Sequence, residues 1–333
     1  MAQHTTAYQR GGKESRQPAL YLAPLRGVTD ALYRALTAKH FAGFDLAVAP
    51  FVTTVAGTRV KPSHLKDLFP ERNRAMPVIP QLLSKSAREF RVAASALSDM
   101  GYTQVNWNLG CPYAMVARKG RGSGMLPYPD RVDAFLDDVM GNMPLKLSVK
   151  TRLGRFHRRE IDRLIPIFNR YPLTEVIIHP RTGVQMYEGS ADLDAFEACA
   201  GQCVHPVVYN GDIVDYEGFR QRQLRFGNIR RWMIGRGAIA DPFLAERICS
   251  GGKKVDDETD RFRRFHTDLY QSYGERLFGP RHLLDRMKGL WAYYARSFLE
   301  GKVVLKRIRK AKTPASFEAV VDAFLDGQPA WRR

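Results

Sequence analysis

Residues 145–180 read "LKLSVKTRLGRFHRREIDRLIPIFNRYPLTEVIIHP", and the fold that we predict depends on this segment. An apolar run lies at each end, at residues 145–150 and 175–180, and residues 158–170 between them have helical periodicity. Short apolar strands that alternate with helices are typical of a parallel sheet that is buried on both faces. The segment therefore predicts one strand-helix-strand unit of a parallel sheet.

The same unit repeats along most of the chain. Eight apolar runs suited to strands end at residues 24, 50, 83, 108, 150, 180, 210 and 235. Further helix candidates lie between them, at residues 29–40, 86–100, 129–141, 214–224 and 242–249. Eight strands, each followed by a helix, favour an α/β fold closed into a (β/α)8 TIM barrel, whose usual length is about 250 residues. An open doubly wound sheet is the alternative, but it ordinarily has fewer strands.

The chain divides into three predicted parts. Residues 1–18 are polar and are interpreted as a flexible tail, and residues 19–252 form the predicted barrel. Residues 253–333 have helical patterning without a strand signal, so we predict a smaller all-α domain there.

The 333-residue chain has a formal net charge of +18, and so basic a surface attracts polyanions. Nucleic acid is the leading candidate partner, and a well-solvated basic surface is the alternative. No apolar run approaches the roughly 20 residues of a membrane span, and no signal peptide is recognisable. We therefore expect a cytoplasmic protein without a membrane partner, and a monomer without an obligate protein partner.

The basic excess is concentrated in "KVVLKRIRKAK", residues 302–312, which contains no acid. On a helix these cations would form a strip that could meet several phosphates, although a solvated helix surface is the alternative. The predicted RNA-binding residues are Lys302, Lys306, Arg307, Arg309 and Lys310.

In a barrel of this kind the chemistry gathers where the strands end. The polar residues there are Gln81, Asn106, Asn108, Cys111, Lys150, Arg152, His179, Arg181, Asn210, Asp212 and Arg236. Lys150 precedes Arg152 by two residues, and His179 has the same spacing to Arg181, so each pair points one way. Four such donors suit an anionic ligand.

Two glycine-containing loops, "YNGDI" (209–213) and "MIGRGA" (233–238), follow the seventh and eighth strands. Many barrels bind a phosphate with these two loops. Gly211, Gly235 and Gly237 permit close approach of the backbone, and Arg236 adds charge. Each glycine alone could mark a tight turn, but the position of both loops predicts a phosphate site.

Metal and dinucleotide motifs are weak. Cys199, Cys203 and His205 are close in sequence, but with no second cluster we interpret them as small residues on a helix and predict no metal. "GRGSG" (120–124) lacks the spacing of a dinucleotide loop and does not follow a strand.

With these segments identified, the chain resembles the tRNA-dihydrouridine synthases, flavin enzymes that reduce uracil within folded RNA. The motifs that carry the resemblance are "LAPLRGVTD" (22–30), "NLGCP" (108–112), "RKGRGSGML" (118–126), "VKTRLG" (149–154), "IIHPRTGVQMYEGSAD" (177–192), "VVYNGDI" (207–213) and "MIGRGAIADPFL" (233–244).

The resemblance implies a barrel that holds non-covalent FMN and a helical region that grips tRNA. The implied cofactor-binding residues are Pro24, Leu25, Gln81, Lys150, His179, Asn210, Gly211, Asp212, Gly235 and Arg236. Asn108 would orient the uracil, with Arg152 and Arg181 as further substrate-binding residues. NADPH would reduce FMN, the flavin would pass hydride to C6, and Cys111 would protonate C5. A thiol with a pKa near its ordinary value of about 8.5 is mostly protonated at neutral pH and suits that role.

Three positions depart from the family pattern: Asn106 stands where an acid is usual, Pro180 where a small residue is usual, and Leu25 where methionine is common. Other hypotheses remain open. They are an FMN-dependent barrel for a small pyrimidine or enone, a cofactor-free aldolase that uses Lys150, and a non-catalytic RNA-binding protein. The choice of uridine, of tRNA against rRNA and of NADPH against NADH is also open.

Overall fold

The fold is that of a parallel β-barrel surrounded by helices and followed by further helices, in a computed structural model that describes residues 17–332. The predicted tail lies outside the described residues, apart from its last two positions. The strands are β1 (Ala19–Leu22), β2 (Leu46–Val48), β3 (Val52–Thr53), β4 (Val78–Ile79), β5 (Gln81–Leu83), β6 (Gln104–Leu109), β7 (Lys146–Gly154), β8 (Val176–Thr182), β9 (Val207–Tyr209) and β10 (Arg231–Ile234).

The sheet closes on itself, and two of its eight strands are each interrupted by a proline. Pro50 separates β2 from β3, and Pro80 separates β4 from β5. Proline lacks the N–H that a ladder needs, so the ladder stops and resumes beyond it. β2 pairs with β4 and β3 pairs with β5, while β1 pairs with both β2 and β10. The predicted eight strands and their closed TIM barrel are therefore confirmed.

The helices cover the outside of this barrel and form the region beyond it. They are α1 (Ala31–His40), α2 (Pro62–Leu65), α3 (Ala87–Asp99), α4 (Ala114–Ala117), α5 (Pro129–Met140), α6 (Ile161–Phe168), α7 (Leu193–Gln202), α8 (Tyr216–Arg225), α9 (Arg236–Ala240), α10 (Leu244–Cys249), α11 (Glu258–Arg276), α12 (Gly279–Tyr294), α13 (Gly301–Lys310) and α14 (Pro314–Asp326). Short 3₁₀ helices are Lys66–Leu68, Pro70–Arg72, Gly122–Met125, Arg158–Glu160 and Ala295–Ser297.

The apolar core has two layers because side chains alternate along each strand. Tyr21 points into the barrel with Val48, Ile177 and Met233, where they form a small buried cluster. The larger cluster lies between the sheet and the helices and includes Leu20 from the same strand as Tyr21. The filled interior leaves only the rim of the barrel for a ligand.

The helical region packs directly on the barrel. Phe265 of α11 lies 4.8 Å from the ring of Phe41, and Asp268 accepts from both Lys39 and His40 of α1 at 2.7 Å. One apolar core therefore continues from the barrel into these helices. The helical character of this region is as predicted, while the domain boundary at residue 252 stays a prediction. None of the helices described is both long and apolar enough to span a bilayer.

Candidate active site at the carboxyl end of the barrel

A cavity of about 980 Å³ lies where the barrel strands end. Twelve of the fourteen barrel residues predicted for the site line it, namely Pro24, Leu25, Asn108, Cys111, Lys150, Arg152, His179, Asn210, Gly211, Asp212, Gly235 and Arg236. Tyr293 and Arg296 of the helical region also line it. The parallel strands therefore bring together most of the residues that the sequence had placed at their ends.

Lys150, near the middle of β7, points an ammonium group at this cavity. It has no hydrogen-bond or ion-pair partner within residues 17–332. Burial, with a smaller contribution from the charge of Arg152, lowers the pKa of Lys150 to about 7. Even a partly buried cation without a partner is costly, so this position favours an anionic ligand.

Arg152 is held by backbone carbonyls at the rim. Its Nε donates to the carbonyl of Gly110 at 3.1 Å, and its Nη1 donates to the carbonyl of Met186 at 2.6 Å. The guanidinium carbon also lies 5.3 Å from the ring centroid of Tyr187. Burial lowers the pKa of Arg152 to about 10, so the group stays charged at neutral pH. Arg152 thus places a fixed positive charge next to Gly110, which immediately precedes Cys111.

Arg181 is turned away from the cavity and lies behind Asp212. Its Nη1 and Nη2 bind the two carboxylate oxygens of Asp212 at 2.9 and 2.5 Å, and its side chain is 2% exposed. Arg236 donates to the same carboxylate at 3.1 Å. Burial acts to raise the pKa of Asp212, but the hydrogen bond and charge of Arg181 outweigh it, so the pKa lies below its ordinary value. Direct contact of Arg181 with a substrate would require this ion pair to open.

His179 is neutral in this setting. Burial, followed by the charges of Arg152 and Lys150, lowers its pKa well below the ordinary value. Nη1 of Arg181 lies 3.2 Å from Nε2 of His179, and because arginine can only donate, Nε2 must be the acceptor. The ring proton is therefore on Nδ1, and the His179 side chain lines the cavity.

The two glycine loops approach neighbouring atoms too closely for any larger residue. A Cβ on Gly211 would lie 2.1 Å from the hydroxyl of Tyr209, and a Cβ on Gly237 would lie 2.0 Å from the carbonyl oxygen of Ile213. Asn210 is fixed by donation from its Nδ2 to the carbonyl of Met233 at 2.9 Å. Packing therefore requires glycine at positions 211 and 237, whereas a Cβ on Gly235 would lie at an ordinary contact distance of 3.4 Å from the Cβ of Ala23.

Cys111 lies on a loop that Asn108 holds at its start. Oδ1 of Asn108 accepts the backbone N–H of Cys111 at 2.8 Å, and Ser123 donates its hydroxyl to the carbonyl of Cys111 at 2.9 Å. Burial raises the pKa of the Cys111 thiol, more than the backbone N–H of Tyr113 lowers it. The thiol is therefore protonated at neutral pH and can serve as an acid.

Gln81 lies beneath the cavity and does not line it. Its Oε1 accepts from Asn108 at 2.7 Å, and its Nε2 donates to Oδ1 of Asn106 at 2.8 Å. Asn106 in turn donates to the hydroxyl of Ser148 at 2.9 Å. The predicted contact of Gln81 with a flavin edge would use the second hydrogen of its amide, and that contact stays a prediction.

A family model described as dihydrouridine synthase matches residues 21–323 of this chain. The chain belongs to the dihydrouridine synthase family. The resemblance inferred from the sequence motifs is therefore confirmed, and with it the prediction of an oxidoreductase whose catalysis depends on a flavin.

Curated relatives of the family match over most of their length. A probable tRNA-dihydrouridine synthase of Rhodobacter capsulatus is 31% identical over 237 residues, which cover 70% of this chain and 71% of the relative. The tRNA-dihydrouridine synthase B of Pasteurella multocida is 28% identical, and the match covers 71% of this chain and 70% of the relative. A probable tRNA-dihydrouridine synthase of Staphylococcus epidermidis is 26% identical, and the match covers 92% of this chain and 94% of the relative.

Solved structures confirm the barrel. The old yellow enzyme from Trypanosoma cruzi superposes with a TM-score of 0.51 at 12% identity, and covers 73% of this chain and 91% of that chain. Morphinone reductase gives the same TM-score and identity, with 73% and 88% covered. At this identity the likeness concerns the fold alone.

The cavity of this family member fits a flavin mononucleotide. Its volume is within the usual range for ligand pockets of about 300–1,000 Å³. Lys150 offers an ammonium without a partner, and Nδ1 of His179 offers a neutral donor. Gly211, Gly235 and Gly237 line the same cavity, so the backbone of both glycine loops is exposed to a ligand there.

Sequence reasoning did not single out Tyr187 or Ser148. The ring of Tyr187 lies 4.6 Å from the guanidinium carbon of Arg236 and stacks near Arg152 as well. Tyr187 could have been identified from its place in the family motif at 177–192. No local pattern distinguishes Ser148, which lies within an apolar strand.

The remaining predicted residues lie elsewhere. The five cations of α13 are exposed on its surface and none lines the cavity. Cys199 donates to the carbonyl of Phe196 at 3.3 Å, and His205 contacts the carbonyl of Phe168 at 2.9 Å. No group of three His, Cys, Asp or Glu side chains within the described part of the chain is arranged to hold a metal.

Proposed function

We propose that this chain is a tRNA-dihydrouridine synthase that reduces the C5=C6 bond of specific uridines in tRNA, with bound FMN and with NADPH as reductant. The observation that carries this proposal is the protonated thiol of Cys111 on the wall of a flavin-sized cavity in a barrel of this family. A cytoplasmic location and a monomeric state stay predictions.

The residues that would hold FMN come from five strands. Pro24 and Leu25 would contact the flavin ring, and Lys150 with His179 would donate to its electron-rich edge. The phosphate would be bound by residues 210–212 and 235–236. When bound and reduced by NADPH, FMN supplies the hydride that the reaction adds to C6 of uracil.

Cys111 would complete the reduction by moving one proton. Its Sγ–H would protonate C5 of the uracil, which leaves a thiolate that solvent must reprotonate before the next turnover. Asn108 would orient the base, since its side chain is already fixed by Gln81 and by the N–H of Cys111. Burial keeps the thiol protonated, so Cys111 can act as the acid without a neighbouring group that protonates it first.

The substrate base must leave its stack in folded RNA to reach this cavity, at a cost of roughly a few kcal/mol. Contacts with phosphates elsewhere must offset that cost. The exposed cations of α13, for which the described residues show no ion pair, could supply them.

The test is the substitution Cys111→Ala, with Cys203→Ala as the matched control on a thiol outside the cavity. We expect Cys111→Ala to accept electrons from NADPH at the wild-type rate but to form dihydrouridine about 10²–10⁴-fold more slowly. Flavin absorbance measures the first step, and quantification of dihydrouridine in tRNA measures the second.

Three results would contradict the proposal. Unimpaired product formation by Cys111→Ala would remove the thiol as the acid. A colourless preparation that cannot be reconstituted with FMN would remove the cofactor, and a wild type that reduces free uridine as well as tRNA would favour a small-molecule reductase.

A further inference from the structure

A second cavity, of about 750 Å³, lies beside the active site and is lined by one face of α5 and by the loops after β5, α4 and β7. Five cations line it, and we call this surface the basic groove: Lys85, Arg118, Lys119, Arg131 and Arg155. The function proposed above makes no use of it.

The charge of the basic groove is not compensated by acids of the protein. Within residues 17–332 none of its five cations forms an ion pair. Asp138 also lines the groove, but Arg91 binds its carboxylate from outside. Five unpaired cations around one concave surface attract an anion with several charges.

Two aromatic rings are exposed at the same place. The side chain of Tyr128 is 50% exposed and that of Phe156 is 56% exposed, although large aromatic side chains are mostly buried. The guanidinium carbon of Arg131 lies 4.6 Å from the ring of Tyr128, and that of Arg155 lies 5.7 Å from the ring of Phe156. Exposed rings beside cations suit a ligand in which flat bases alternate with phosphates.

The basic groove shares its wall with residues 111–125, the segment that begins with Cys111 and that we call the thiol loop. Nη1 of Arg155 donates to the carbonyl of Pro112 at 2.8 Å and to the hydroxyl of Ser123 at 3.3 Å. Ser123 in turn binds the carbonyl of Cys111. The chain from residue 111 to residue 125 therefore contributes to both cavities, with Cys111 in one and Lys119 in the other.

We propose that the basic groove binds the phosphate backbone and an unstacked base of the substrate RNA, next to the uridine that enters the active site. The inference rests on the proposed function for the identity of the RNA. Contacts next to an extruded base directly offset the cost of extruding it. The groove is a cationic surface, and the thiol loop lines both the groove and the active-site cavity. It would act in addition to the strip on α13.

The test is the double variant Lys119→Gln/Arg131→Gln in the full-length holoenzyme, with a tRNA transcript that lacks dihydrouridine. The matched control is Lys146→Gln/Arg163→Gln, which removes the same charge from exposed positions outside the groove. Both side chains of the groove pair are exposed, so both proteins should fold.

We expect the groove variant to raise the KM and the Kd for tRNA by about 3- to 30-fold, with kcat and the rate of flavin reduction by NADPH unchanged. The slope of log Kd against log salt should fall by about 1 for each phosphate that the variant no longer binds. Tyr128→Leu should weaken tRNA binding without changing that slope, because it removes stacking and no charge. The control should match the wild type.

Three outcomes would overturn the inference. They are an unchanged Kd for tRNA in the groove variant, an equal change in the control, and an increase in the KM for NADPH in place of that for tRNA. The binding measurement needs no turnover, so a wild type that binds tRNA through the groove but forms no dihydrouridine would contradict only the proposed function.

Discussion

Asn106 shows how one substitution in a family pattern is accommodated by its neighbours. Its amide is fully buried, accepts from Gln81 and donates to Ser148. A carboxylate at this position would be charged, and burial of a charge without a cation is costly. An amide avoids that cost, but it must donate as well as accept, and Ser148 supplies the acceptor. The hydrogen bonds run in one direction, from the N–H of Cys111 to Asn108, then to Gln81, Asn106 and Ser148. Each donor faces one acceptor, which fixes the orientation of the three side-chain amides.

If FMN binds as proposed, we expect Lys150 to make its binding depend on pH. Because burial lowers its pKa to about 7, the ligand-free protein loses this positive charge as the pH rises through that value. An anionic ligand favours the protonated amine, so its pKa rises on binding and a proton is taken up. The Kd of FMN should therefore increase above about pH 7, by at most about tenfold per pH unit.

Fluorescence titration of the apoprotein with FMN from about pH 6 to about pH 9 measures this effect. Lys150→Met should bind FMN more weakly than the wild type at the lowest pH of this range, and its Kd should no longer depend on pH. Lys146→Met should behave as the wild type. The same slope in wild type and Lys150→Met would show that another group titrates.

At the level of elements, α13 presents two faces that its sequence spacing predicts. Val304 and Ile308, four residues apart, are buried against the helical region, while the cations between and after them are exposed. The helix begins at Gly301, where there is no room for a side chain. A Cβ at this position would lie 1.6 Å from the carbonyl oxygen of Ala295.

Two glycine-to-alanine substitutions should therefore have opposite effects on stability. Gly301→Ala should lower the free energy of unfolding by about 1–3 kcal/mol, because the clash with Ala295 forces the start of α13 to move. Gly289→Ala, within α12 and with open space around its Cβ, should raise it by about 0.5–1 kcal/mol. Denaturant unfolding of both proteins measures the difference. A neutral Gly301→Ala would show that α13 can shift without cost.

For the whole molecule, cations are found on two surfaces, the basic groove on the barrel and the strip on α13. The helical region is held to the barrel by a continuous core, and its Tyr293 and Arg296 line the active-site cavity. A tRNA that contacts α13 would therefore bind to a part of the protein that is fixed relative to the flavin site.

Removal of charge from α13 should weaken the binding of tRNA without affecting the chemistry. We expect the triple variant Lys306→Gln/Arg307→Gln/Lys310→Gln to raise the Kd for tRNA and to reduce the salt slope by about 1 for each phosphate that is no longer bound. Reduction of the flavin by NADPH should be unchanged. The control is Lys66→Gln/Lys146→Gln/Arg163→Gln, which removes equal charge from other exposed positions. If both variants bind tRNA equally well, the strip is only a solvated surface.

Local sequence patterns were sufficient to predict the eight strands, most of the helices between them, the glycine loops and the position of Cys111, because hydrophobic periodicity and turn residues act over a few neighbours. They did not reveal that Pro50 and Pro80 divide two strands, or that residues 158–170 begin as a 3₁₀ turn before α6. Which predicted residues reach the cavity became apparent only in the folded chain. Arg181 turns to Asp212 and Gln81 joins the buried amides, while Lys150 becomes partly buried at the cavity wall. Hydrogen bonding and desolvation depend on atoms from strands far apart in the chain, so no local pattern encodes them.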